Sequence, residues 1–201
     1  MKVAELTLIT GGNSKPSSDL YQILTAALAG GVSQIILREK HLDSAHLLAF
    51  ASRMRNITHQ YQAKLIIHSQ ADIAKAVNAD GVHLASSDIS EIPAMRNWLN
   101  APNMSLSTSC HNLEELQASH QYGADFAMLS PVFPTQSHPN APALGLETFK
   151  KIADASPLPI IALGGIDSDN RPLLKGFGVA TIRAILEAKK PKQAAQALLS
   201  V

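Results

Sequence analysis

The sequence predicts an α/β chain wound as a (β/α)₈ TIM barrel, with residues 1–201 forming a single domain. Three observations carry this. Short apolar runs recur eight times along the chain, at roughly 24-residue intervals. The segments between them carry apolar residues at helical spacing. Almost every run ends in a cluster of polar, charged or glycine residues, as strands buried on both faces do when they emerge into loops. The competing architecture is an open doubly wound sheet, which usually needs about five or six strands.

The first strand is Leu6–Thr10, stopped by Gly11-Gly12-Asn13. Ser17 or Ser18 caps a helix through Leu20, Ile23, Leu24, Ala27 and Leu28, ended by Gly30-Gly31. Gln34–Leu37 is the second strand and delivers Arg38-Glu39-Lys40 at its end. Asp43 or Ser44 starts a helix through Leu47, Phe50, Met54 and Ile57, with Arg55 and His59 on its wetter side. Lys64–Ile67 is strand three, followed by His68-Ser69 and a short helix over Ala71–Val77. Gly81–Leu84 is strand four and ends near Ser86, Ser87 and Asp88.

Glu91–Leu99 reads as a helix with Trp98 packed against the barrel wall. Strand five, Ser105–Thr108, runs into Ser109-Cys110-His111. Asn112 caps the next helix, with Glu115 placed for a capping box, and Gly123 closes it. Phe126–Leu129 is strand six, feeding a long loop rich in proline and hydroxyls through Gly145. Glu147–Ala155 is helical, and Ile160–Leu163 is strand seven, ending at Gly164-Gly165-Ile166. A helical turn or two at Arg171–Lys175, strand eight at Val179–Ile182 and a closing helix at Lys192–Leu199 complete the chain.

Composition narrows the function classes. A net charge of +1 gives no global attraction to nucleic acid or to an anionic membrane, so an anion site must be local. The single cysteine, Cys110, excludes an internal disulfide and a cysteine-based zinc site. No apolar run is long enough to span a membrane, and Met1-Lys2-Val3 begins no signal peptide, so the expected location is the cytosol.

Barrel enzymes gather their active groups at the C-terminal ends of the strands. Arg38, Lys40, His68, Ser69, Asp88, Ser109, His111, Thr135–His138, Gly164-Gly165 and Arg183 fall there. Cations and glycine turns on one face of a nearly neutral chain point to a phosphate or diphosphate site. Arg38 would grip oxygens bidentately, Lys40 would add a point charge, and Gly164-Gly165 would admit backbone N–H groups. Gly176 and Gly178 sit in the last unit, where many barrels hold phosphate.

LREK at 37–40, ADIAKAVNADGVHL at 71–84, SPVFPT at 130–135, ALGGI at 162–166 and the closing GFGVATIRAI together resemble the thiamine phosphate synthase/TenI superfamily. The SPVFPTQSHP loop most resembles the TenI-like domains fused to Nudix hydrolases, here standing alone. The resemblance implies a phosphorylated small-molecule ligand from thiamine biosynthesis and admits a homodimer. Synthases of the family join a hydroxymethylpyrimidine diphosphate to a thiazole phosphate, releasing pyrophosphate with Mg²⁺. TenI-type members isomerise a thiazole carboxylate phosphate by proton transfer.

Carried over by position, the resemblance makes Arg38, Lys40, Ser109, Thr135, Ser137, Gly164, Gly165, Ile182 and Arg183 ligand contacts. Asp88 matches one of two magnesium aspartates. The Asn-Asp pair that supplies the other reads His68-Ser69, the diphosphate glutamine is Ile36, and a lysine of the leaving-group site is His138. Pro131 stands where TenI-type enzymes place their histidine.

These departures favour a TenI-type role with His68 and His138 as the catalytic pair. The alternatives are an authentic Mg²⁺-dependent synthase and a non-catalytic phosphate-binding relative. The remaining groups read blandly. His83 is a hydrogen-bonded core histidine, Cys110 a small side chain near the ligand, and His111 points away from it. His41, His46, His59 and His120 are solvated, and Arg183 has Glu187 as an alternative partner.

Overall fold

A computed structural model describes residues 3–11, 17–136 and 142–200. Its strands are β1 Leu6–Ile9, β2 Gln34–Leu37, β3 Lys64–His68, β4 Gly81–Leu84, β5 Ser105–Cys110, β6 Phe126–Leu129, β7 Ile160–Leu163 and β8 Gly178–Thr181. All pair in parallel with their sequence neighbours, and β8 returns to β1, closing the barrel. The helices are α1 Ser18–Ala29, α2 Ser44–Gln60, α3 Ala71–Ala76, α4 Ile92–Leu99, α5 Leu113–Tyr122, α6 Leu146–Asp154, α7 Arg183–Leu186 and α8 Pro191–Leu199. A 3₁₀ turn at Ser86–Glu91 precedes α4, and another at Arg171–Leu174 stands between β7 and β8. No described helix is long and apolar enough to cross a membrane.

The continuous apolar strands still sort by alternation. Ile9, Ile36, Ile66, Phe126, Met128, Ile161 and Ala180 fill the barrel interior. Their neighbours Leu8, Ile35, Leu37, Leu65 and Ile67 face outward, against Leu24, Phe50, Met54 and Phe149 of the helices. On β3–β5 the interior turns polar: the register sets His68 beside His83, and His83 beside Ser107. One side of the upper barrel is therefore lined with imidazole and hydroxyl groups rather than methyls.

Helix starts follow local chemistry. Ser17 Oγ accepts from Leu20 N at 3.2 Å, and Asp43 Oδ1 accepts from His46 N at 2.9 Å. Asn112 Oδ1 accepts from Glu115 N at 2.8 Å, as the capping-box spacing predicts. The reciprocal half differs, because Glu115 Oε2 takes the backbone N–H of His111, one residue earlier than the box requires.

One expectation is corrected. Trp98 is 55% exposed rather than packed on the barrel wall. Its ring carries the Lys75 ammonium 4.7 Å from the centroid, which shields an indole at the end of a short helix. Arg55, partly exposed on the wetter side of α2, is tied down there, with its Nη1 2.6 Å from Asp80 Oδ2.

Candidate functional site

The C-terminal ends of the strands enclose a cavity of about 1060 Å³. Arg38 and Lys40 enter it from the end of β2, on either side of Glu39, which is buried with 4% exposure. This is strand alternation continued one step past the ladder: Ile36, Arg38 and Lys40 share a face, and Glu39 takes the other. The turn is tied to β1 by the Arg38 backbone N–H, which donates to Thr10 Oγ1 at 2.8 Å. Ile36 lies beneath them as an apolar floor.

His68 stands at the end of β3, with Nδ1 3.0 Å from Ser69 Oγ. Burial pulls its pKa down to about 4, the positive charges of Arg38 and Lys40 add to the shift, and Asp88 opposes it. Both cations thus act on one imidazole, which is neutral at physiological pH. His83, its neighbour across the ladder, is 3% exposed. Burial, then His68 and Arg38, pull its pKa down to about 3. Its Nδ1 lies 2.9 Å from Ser107 Oγ and its Nε2 2.9 Å from Ser109 Oγ. Ser109 lines the cavity; Ser107 is fully buried below it.

His111 corrects the sequence reading. It lines the cavity rather than pointing away, while Cys110 is fully buried in the outer core against Ser119 and Thr108. The signal was available, because Ser109 and His111 are two residues apart and share a face of an extended segment. The Nδ1 of His111 is 2.8 Å from the Ser130 carbonyl oxygen. A carbonyl only accepts, so Nδ1 carries the proton and a neutral His111 keeps Nε2 as a free acceptor.

The far wall is made by the loops after β6 and β7. Gly164 and Gly165 have φ of +105° and +65°. A Cβ on Gly164 would stand 2.6 Å from Pro131, and one on Gly165 2.5 Å from the Pro134 carbonyl oxygen. The pair is needed first for loop-on-loop packing, which in turn sets the rim that Thr135 and Gln136 line. Ile182 and Arg183 close the circle at the end of β8. Arg183 Nε lies 2.7 Å from Glu187 Oε1, and its Nη1 bonds Gln136 Oε1, so its charge is already engaged.

Gly176 and Gly178 do not join the mouth. They precede and begin β8, at the end of the barrel opposite the cavity, where Gly178 packs against the backbone of Ala4. Ser137 and His138 lie outside the described residues.

Asp88 lies in the 3₁₀ turn after β4 and accepts from Ser87 Oγ at 2.7 Å. With Ser69, Glu91, Met95 and Trp98 it lines a second, smaller cavity of about 420 Å³. Among the described residues no three His, Cys, Asp or Glu side chains group as metal ligands. The donors near Asp88 do not fit the magnesium site that the family resemblance implies. A serine hydroxyl engaged by His68 stands where the resemblance expects a second aspartate, and much of the surrounding wall is apolar, a poor exchange for the oxygen shell of Mg²⁺.

Comparison with known proteins agrees with this architecture. The family described as "Thiamine monophosphate synthase" matches residues 6–187. A putative thiamine-phosphate synthase 2 of Aquifex aeolicus is 36% identical over 190 residues, covering 93% of this chain and 100% of that one. The thiamine-phosphate synthase of Clostridium acetobutylicum is 32% identical over 200 residues, covering 98% and 94%. Among solved structures, a thiamine phosphate pyrophosphorylase from Pyrococcus furiosus superposes with a TM-score of 0.84 at 31% identity, covering 97% of this chain and 93% of that one.

Proposed function

Since the chain belongs to the thiamine monophosphate synthase family, a family of thiamine biosynthesis, we propose that it binds a phosphorylated thiazole and a pyrimidine diphosphate at the barrel mouth and couples them to thiamine phosphate. The observation that carries this reading is the pair Arg38 and Lys40. Both enter the cavity, and both act on His68 strongly enough to help hold it neutral. In the coupling a C–N bond forms at the pyrimidine methylene as its C–O bond to the diphosphate breaks. Negative charge accumulates on the departing pyrophosphate, and fixed cations are the groups that stabilise it. Names borne by relatives of 32–36% identity over nearly the whole chain support coupling over isomerisation.

No step is assigned to a metal, because the donors around Asp88 fit one poorly. The reading is tested by incubating the protein with both precursors, with Mg²⁺ and separately with a chelator, and measuring thiamine phosphate and pyrophosphate. Product under either condition supports coupling; its absence in both, with intact folding, ends that reading.

One observation favours a second reading. His111 lines the mouth with its Nδ1 anchored on the Ser130 carbonyl, an orientation that suits Nε2 to proton transfer on a bound thiazole phosphate. Deuterium uptake from D₂O into the thiazole without coupling would select it.

A further inference from the structure

The hydrogen-bonded chain Ser107–His83–Ser109 runs from the closed interior of the barrel to the cavity, and its direction can be read from its distances. A neutral imidazole has one N–H, so two arrangements compete. In the first, Nδ1–H donates to Ser107 and the Ser109 hydroxyl donates to Nε2. The Ser107 proton is then left with a long bond of 3.4 Å to the Val82 carbonyl, at a site with no exposure to water that could replace it. In the second, the Ser107 hydroxyl donates to Nδ1 at 2.9 Å and Nε2–H donates to Ser109 at 2.9 Å. Every buried donor then has a bond of ordinary length, the arrangement that buried groups favour. The proton left over is that of Ser109, at the cavity.

We propose that Ser107 and His83 are positioning residues: they hold His83 in its Nε2–H tautomer and so turn Ser109 into a hydrogen-bond donor for an oxyanion bound at the mouth. The reading excludes Ser109 as a nucleophile activated by His83, since Nε2 has no lone pair to take its proton. It explains why an imidazole buried among serines is kept neutral beside Arg38 rather than replaced by a methyl-lined core. A chain of bonds polarised in one direction strengthens its last donor. The choice of an oxyanion rests on the phosphate reading of the mouth; the tautomer does not.

Nitrogen shifts of ¹⁵N-histidine-labelled protein decide the tautomer. Nε2 of His83 is expected protonated and Nδ1 bare between pH 6 and 8, and the reverse pattern overturns the proposal. Binding is then measured by calorimetry with inorganic pyrophosphate. Ser109→Ala and Ser107→Ala are each expected to weaken it about 5- to 10-fold. The double variant is expected to bind no worse than Ser109→Ala alone, and Ser107→Thr to restore binding. Additive losses, or a loss in Ser107→Ala that persists in the Ser109→Ala background, show a packing role and overturn the relay. If the wild type fails to bind pyrophosphate, the phosphate reading and the oxyanion half of the proposal fall together, while the nitrogen shifts still judge the tautomer.

Discussion

Asp80 and Asp125 hold the same position two barrel units apart. Each directly precedes its strand, β4 or β6, and each directs Oδ2 at the first turn of the strand before it. Asp80 accepts from Leu65 N at 2.7 Å and from Arg55 Nη1 at 2.6 Å. Asp125 accepts from Leu106 N at 2.7 Å and from Arg96 Nη2 at 2.8 Å. One carboxylate thus pins a strand to a helix at the end of the barrel away from the cavity, where stability rather than chemistry resides.

Asp80→Asn and Asp125→Asn should therefore each lower stability by about 1–2 kcal/mol, since the charged acceptor is lost but the contact survives. That is a fall of roughly 2–8 °C in Tm for a chain of this size. Scanning calorimetry measures it, and pyrophosphate affinity should stay unchanged in both variants.

Arg171 should be more costly to change. It is 4% exposed and donates to the carbonyls of Leu198, Leu174 and Phe177, joining α8 to the turn before β8. Arg171→Leu leaves those carbonyls without the donor, for an expected loss of about 2–4 kcal/mol in urea unfolding.

Arg38→Ala should weaken pyrophosphate binding about 10- to 100-fold, the range expected for a charge-assisted contact. Arg183→Ala should have a smaller effect, because that guanidinium is occupied by Glu187 and Gln136. Equal losses would place the anion at β8 instead.

His68 gives stability a predictable pH slope. Its folded pKa of about 4 lies below the ordinary 6.5, so the unfolded chain takes up the proton first as pH falls. The stability from the neutral ring is complete above about pH 6.5 and is lost as pH falls through about 4; His83, at about 3, acts in the same direction. His68→Gln should flatten that slope in denaturant titrations. An anion that screens Arg38 and Lys40 removes part of what depresses His68, so pyrophosphate binding near pH 5 should take up protons, measurable in buffers of different ionisation enthalpy.

His111→Ala separates the two readings of the mouth. It should abolish deuterium exchange into a bound thiazole if Nε2 moves the proton, and should leave coupling within a few-fold if it does not.

Much of this architecture was legible in the sequence because parallel strands buried on both faces leave unbroken apolar runs, and because Ser17, Asp43 and Asn112 are caps with a local mechanism. Arg38 and Lys40 were legible for the same reason: they follow a strand directly, so their face is set by Ile36. What failed lay beyond the reach of periodicity. Gly176 and Gly178 belong to the last unit, where many barrels hold phosphate, yet they enter β8 and do not leave it. His111 was set aside by reference to Cys110, when the neighbour that shares its face is Ser109. Trp98 stands outside the wall, sheltered by a lysine from α3, a contact between helices that helical spacing does not reveal.

The fit between the turns at 131–136 and 164–166 has a practical corollary. Val132 N donates to the Leu163 carbonyl and Phe133 N to that of Gly164, and neither glycine has room for a methyl group. Anyone redesigning substrate preference must treat the two segments as one cassette, exchanged together or left alone. Single-site libraries there would sample mostly misfolded rims, and the opposite bank offers no easier target, since residues 38 to 40 carry the two cavity cations around the buried Glu39.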